Sequence, residues 1–176
     1  MKFRTIHPQD KPLILNWFQK SHVREFYYGK GLENTLKNLE LYCQGINHNG
    51  RYSFEHWIGF IDDEPFAFLM TTPVTRPYDP NSAYDKWYID GKNTFTLDIL
   101  IGPEKFLGKG LASRMIQEFI KTQFAEADFF LIDPAQNNPK AIHVYEKAGF
   151  IKVGEFFPAF DPKVLHVMMR AMLKNT

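Results

Sequence analysis

The run Lys105-Phe106-Leu107-Gly108-Lys109-Gly110-Leu111 is the part of this 176-residue chain best suited to chemistry. It lies between a segment that reads as a strand, 94–101, and one that reads as an amphipathic helix, where Leu111, Met115, Ile116, Phe119 and Ile120 recur at spacings of three and four. A strand that turns through glycines into a helix aims unpaired backbone N–H groups and the positive helix end at one place. Such a place holds an anion. Gly108 and Gly110 permit close backbone approach and positive φ, while Lys105 and Lys109 add mobile positive charge. Five residues separate Gly102 from Gly108, and Gly110 follows Lys109, which excludes a Walker A loop; Ser113 stands where a dinucleotide fingerprint needs its third glycine. Asp98 is the second feature. It interrupts the apolar strand Thr96-Leu97-Asp98-Ile99-Leu100, where Asp is disfavoured and a carboxylate is costly unless employed. Its plainer reading is a carboxylate that faces solvent or pairs with a lysine.

The elements that must position these residues follow from periodicity. A strand over 2–6 precedes a helix announced by Asp10 and Pro12 and carrying Leu13, Leu15, Trp17 and Phe18; the aromatic run Phe26-Tyr27-Tyr28 follows. A second helix over 33–44 bears Leu36, Leu39 and Tyr42, with Leu32 just before it. Phe54, His56, Ile58 and Phe60 alternate, 62–65 turns, and 66–72 returns as an apolar strand, which makes a hairpin. The stretch 73–93 has no period but carries Tyr78, Tyr84, Trp87, Tyr88, Asp79, Asp85 and Asp90. It reads either as a functional loop, with a content that favours sugars and amines, or as a surface excursion over the sheet. A strand over 128–133, a helix after Asn138 and strands over 151–157 and 164–172 complete the order β-α-α-β-β-β-α-β-α-β-β, an α/β or α+β arrangement with a mixed sheet.

Composition fits one globular domain, 1–176, at 44% hydrophobic and 23% charged residues. A net charge of +1 without blocks of like charge argues against nucleic-acid or membrane binding. Cys43 is the only cysteine, so no internal disulfide or thiolate metal site is expected. The six histidines lack metal-ligand spacing, and no metal is expected. The polar N-terminus and the absence of a long apolar run predict a cytoplasmic protein.

The basic-x-x-Gly-x-Gly pattern at 105–110 resembles the pyrophosphate loop of the GCN5-related N-acetyltransferases (GNAT). The run from Leu131 to Phe150 resembles that family's second cofactor motif, in which a strand ends, an Asn precedes a short helix, and the helix closes as Tyr145-Glu146-Lys147-x-Gly149-Phe150. Local chemistry agrees: Asn138 suits an N-cap, Pro139 the first helical position, Lys147 the last turn, and Gly149 a left-handed stop. The segment Leu15-x-Trp17-x-x-x-x-His22-Val23-x-Glu25-Phe26-Tyr27 resembles the aminoglycoside 6′-N-acetyltransferases, with Phe26-Tyr27 where that subgroup tends to have paired tryptophans. The same pattern is similar to siderophore-pathway acetyltransferases, which acylate hydroxylamines.

The resemblance implies a GNAT fold, with a mixed sheet of about six to seven strands flanked by about four helices, and acetyl-coenzyme A as cofactor. It implies cofactor contacts from Ile99, Leu100, Ile101, Lys105, Phe106, Leu107, Gly108, Lys109, Gly110, Leu111, Ala112, Asp133, Asn138, Ala141, Tyr145 and Lys147. The pantetheine arm is expected along the strand of Asp98, with a strand N–H near Leu100 for the oxyanion. Asp98 is the expected base, with Asp90 second, and Tyr145 the expected proton donor to the thiolate, although a core tyrosine is the plainer reading of its position. Tyr27, Trp87, Asp90, Asp98, Asp133 and Asp161 are expected around a cationic acceptor, with Asp79 and Asp85 as further available acids. The plain alternative for Asp161, in Phe160-Asp161-Pro162, is turn chemistry, and His22, within the resembling N-terminal run, reads first as a helix-end residue. The expected acceptor is a small-molecule amine, most of all an aminoglycoside 6′-amine; the alternatives are a siderophore hydroxylamine, a protein amine, or a non-catalytic coenzyme A sensor. A monomer or homodimer is expected.

Overall fold

The computed structural model describes residues 1–75 and 86–173. Seven strands form one sheet: β1 (Lys2–Thr5), β2 (Glu55–Ile61), β3 (Glu64–Pro73), β4 (Thr94–Ile101), β5 (Phe129–Ile132), β6 (Ile151–Phe156) and β7 (His166–Met172). Their order is β1-β2-β3-β4-β5-β7-β6, and among the described residues only β4 and β5 run parallel. Helices α4 (Leu111–Gln123) and α5 (Pro139–Ala148) cover one face. The other face carries α1 (Lys11–Phe18), α2 (Ser21–Arg24) and α3 (Gly29–Cys43). The mixed sheet and the helices on both its faces match the expected architecture.

Local chemistry explains the elements that matter for the site. Asp62 (φ 48°) and Asp63 (φ 62°) both take positive φ, as a tight two-residue hairpin between β2 and β3 requires. Met115, Ile116, Phe119 and Ile120 put one stripe of α4 into the first core, against Phe66, Leu69, Leu97 and Phe130. Asn138 caps α5 by accepting the Ala141 N–H at 3.1 Å, Pro139 starts the helix, and Gly149 ends it at φ 100°.

Three details of the N-terminal half correct the expectation. In α1 the buried residues are Ile14, Trp17 and Phe18, while Leu15 is 36% exposed, because a 3.6-residue period places 14, 17 and 18 on one face. An additional short helix, α2, carries His22. Helix α3 begins at Gly29 instead of near 33, and its first turn tucks under Phe160: a Cβ on Gly31 would lie 3.3 Å from that ring. Tyr78, Asp79, Tyr84 and Asp85 lie outside the described residues.

Candidate active site

The site is built where β4 and β5 part. They pair only over Thr94–Thr96 and Phe129–Leu131, and β4 then continues to Ile101 beside β3 alone. The gap opens into a cleft of about 1310 Å³. Backbone parity along β4 decides which groups face it. Val74 N–H bonds to Thr94 O at 2.8 Å and Gly102 N–H to Phe66 O at 2.9 Å, so even-numbered residues of β4 direct their amides and carbonyls at β3. Odd-numbered ones face the gap. The carbonyls of Ile99 and Ile101 accordingly accept hydrogen bonds from outside the sheet, from Tyr27 Oη at 3.0 Å and His22 Nε2 at 2.9 Å. The amides of Ile99 and Ile101 are the strand donors on the cleft side. Leu100 lines the cleft, but its own N–H points at β3.

The glycine turn forms one end of the cleft. Gly108 (φ 71°) and Gly110 (φ 68°) are left-handed, a Cβ on either would meet nothing within 4 Å, and Gly110 is the N-cap of α4. Phe106, Leu107, Gly108, Lys109, Gly110, Leu111 and Ala112 line the cleft, as do Ile99 and Ile101. From the α5 side come Asn138, Ala141, Tyr145 and Lys147. Lys105 does not line it. The 3-10 turn Glu104–Phe106 runs beside the start of β3, where the Lys105 ammonium pairs with Glu64 at 2.6 Å and lies over the Phe106 ring. The open amides at one helix start, the bare glycine backbone and the unpaired edge of β4 fit an extended ligand with an anionic middle, the shape of an acyl-coenzyme A.

Acid and base groups gather beyond that edge. Asp98, Asp133, Asp161, Tyr27, Tyr145 and His166 all line the same cleft. Water reaches Asp98 through the cleft mouth, yet protein surrounds the carboxyl. That low-polarity surround and the neighbouring Asp133 raise its pKa to about 7, against a smaller lowering by His166. The open mouth weakens this effect in the free enzyme; it acts in full when ligands displace the water. Burial, with the charges of Asp98 and Asp133, holds the Tyr145 phenol well above its usual range and keeps it protonated. The same causes act on Tyr27, which packs edge-on against Phe18.

Two expected acceptor residues sit elsewhere. Trp87 packs on Phe156, with ring centroids 5.5 Å apart, and crosses the backbone at Gly154, where a Cβ would lie 2.7 Å from the indole. The missing side chain at Gly154 makes the room. Tyr88 lines the cleft in its place, and its hydroxyl donates to Asp90 at 3.1 Å, outside the cleft lining. Asp161 does line it and accepts from Tyr28 Oη at 3.0 Å. His166 was not expected: it is a lone histidine in an apolar strand, and only the fold brings it to Asp133.

A splayed parallel strand pair, a glycine turn into a helix and an acid near a phenol together make a site that fits an acyl thioester. Residues 7–157 match the acetyltransferase (GNAT) domain family. The chain belongs to this family of acetyl-coenzyme A-dependent acetyltransferases. It is 25% identical over 178 residues to the aminoglycoside N(6′)-acetyltransferase type 1 of Klebsiella pneumoniae, covering 98% of this chain and 85% of that one. The crystal structure of the aminoglycoside N(6′)-acetyltransferase of Legionella pneumophila superposes with a TM-score of 0.83 at 32% identity, covering 98% of this chain and 91% of that one. The fold is also that of AAC(6′)-Ib in complex with paromomycin and acetyl-coenzyme A, with a TM-score of 0.76 at 20% identity over 97% of this chain and 92% of that one. No helix among the described residues is long and apolar enough to cross a membrane.

Proposed function

We propose that this acetyltransferase acts on an aminoglycoside, at its 6′-amine. The observation that carries the reading is the gathering of the Asp98, Asp133 and Asp161 carboxylates at the far end of the cofactor groove, since ammonium groups gain most from opposed charge in a partly desolvated site. The likeness to the Klebsiella and Legionella relatives, over 98% of this chain in each case, supports the acceptor class and the position.

Acetyl-coenzyme A supplies the activated acetyl thioester. The amides of 108–112 receive its pyrophosphate, and Asn138 both caps α5 and borders the arm. Asp98 orients the acceptor ammonium and takes its proton. An aliphatic amine has a pKa of ~10.4, and the raised Asp98 carboxyl is a closer match than an ordinary carboxylate. The Ile99 and Ile101 amides donate to the oxygen on which charge develops, and Tyr145 holds a proton at Oη for the departing sulfur.

The test follows thiol release from acetyl-coenzyme A with a panel of aminoglycosides, polyamines, N-hydroxylysine and a lysine peptide. Turnover with aminoglycosides, with the mass of one added acetyl group, is expected. Turnover with the hydroxylamine alone would move the protein to siderophore chemistry. Tight cofactor binding with no turnover would leave a sensor.

A further inference from the structure

His166 opens β7 at the cleft wall, and no step above uses it. Its Nδ1 lies 2.7 Å from the Asp133 backbone oxygen and 3.0 Å from Asp133 Oδ2. Both partners only accept, so Nδ1 carries a hydrogen whatever the charge of the ring. Phe156 and Phe160 flank the imidazole at centroid distances of 5.9 and 5.6 Å. The backbone repeats the tie: Val167 N–H bonds to Pro134 O at 2.9 Å, and Gln136 N–H to Leu165 O at 2.8 Å. The start of β7 and the end of β5 thus form one braced corner. Asp133 stands at that corner, level with Asp98 on the neighbouring strand.

We propose that His166 is a positioning residue for acceptor binding, which through Nδ1 fixes the Asp133 carboxylate as the wall of the acceptor site opposite Asp98. One N–H that grips both the Asp133 carbonyl and a carboxylate oxygen restrains the side chain before the acceptor arrives. The ring also adjusts the charge that the acceptor meets. The charged groups facing it are Asp133 on the β5 end, Asp98 on β4 and Asp161 in the β6–β7 loop. Burial lowers the pKa of the ring, but the hydrogen bonds and charge of Asp133, with Asp161, more than reverse this, and the net direction is upward from 6.5. A protonated ring offsets one carboxylate. As pH rises and the ring loses its Nε2 proton, the cleft loses one positive charge and holds a cationic acceptor more tightly.

The inference rests on the cationic acceptor proposed above, and the test separates the two. In acceptor-free enzyme, ¹⁵N spectra of the histidine rings should find the His166 Nδ1 protonated throughout, with only Nε2 titrating, and the pattern should change in Asp133→Asn. A ring carrying its hydrogen on Nε2 alone overturns the proposal without reference to any acceptor. In turnover assays His166→Phe should raise the acceptor KM about tenfold, with kcat and the acetyl-coenzyme A KM within about threefold, the scale of one charge-assisted hydrogen bond. His166→Asn, whose amide nitrogen can take the place of Nδ1, should recover most of the loss and flatten the pH dependence of the acceptor KM. Equal damage from Phe and Asn, or an Asn variant that keeps the wild-type pH dependence, contradicts the role, and the second result decides even where His166→Phe does not fold. If the wild type acetylates no aminoglycoside, the acceptor assignment fails, and the same comparison is made on whichever amine of the panel is turned over.

Discussion

Asp98 on β4 and Asp133, the residue after β5, lie equally far past the end of the ladder between these parallel strands. Thr96 pairs with Leu131, and two residues further along each segment stand the two carboxylates, both lining the cleft. The protein surround, with the charge of Asp133 beside it, raises the Asp98 carboxyl above the ordinary carboxylate range. Asp98→Asn should lower kcat by about 100-fold or more, in the range of general acid–base contributions, while acetyl-coenzyme A affinity, measured by calorimetry, changes little. The wild-type rate should rise with pH as Asp98 ionises, and the acidic limb near 7 should be absent from the residual activity of the variant.

The same group affects stability in the opposite sense. Its folded pKa lies above its ordinary 3.8, so the native state binds more protons than the unfolded chain between about pH 4 and 7 and loses stability as pH rises through that window. Removing the charge should relieve this. In thermal melts Asp98→Asn should unfold at a higher temperature than the wild type at about pH 8, with the gap closing towards pH 4.

The two basic residues of the glycine turn should separate in assay. Lys105 is engaged by Glu64, and Lys109 borders the cleft. Lys105→Ala should leave the acetyl-coenzyme A KM within about twofold, as expected for an exposed ion pair remote from the ligand, whereas Lys109→Ala should raise it more. Gly110→Val asks a β-branched residue to hold φ 68° and should abolish cofactor binding in calorimetry.

Gly102 tests how the sheet supports the site. It ends β4 against the buried Trp17 of α1, and a Cβ there would lie 2.2 Å from the indole. The ring is 2% exposed and has nowhere to go. Gly102→Ala should cost about 1–3 kcal/mol, as overpacked cores do, which calorimetry would register as a melting point lowered by roughly 2–4 °C per kcal/mol.

Much of this was legible in the chain. The glycine turn, the strand 94–101 and the Asn138 helix are local matters of capping, φ and periodicity, and their positions hold to within a residue or so. Asp98 could be singled out because a carboxylate in an apolar strand is costly. What could not be read was convergence. The amides of Ile99 and Ile101 face the cleft because of register parity with β3, which no single strand reveals. Lys105 found Glu64, which is 41 residues away in sequence. Trp87 fills the space above Gly154, so Tyr88 lines the cleft. His166 meets Asp133 only because β7 inserts beside β5, and a histidine in an apolar strand carries no local sign of that neighbour.

The central claim is acetylation of an aminoglycoside at its 6′-amine. It is tested most directly with two aminoglycosides identical except for an amine or a hydroxyl at the 6′ carbon, each incubated with enzyme and acetyl-coenzyme A, with thiol release followed and products examined by mass and NMR. The account predicts one added acetyl group, on the 6′ nitrogen, and turnover of the amine alone. Equal turnover of both compounds, or acetyl placed on another nitrogen, would contradict it.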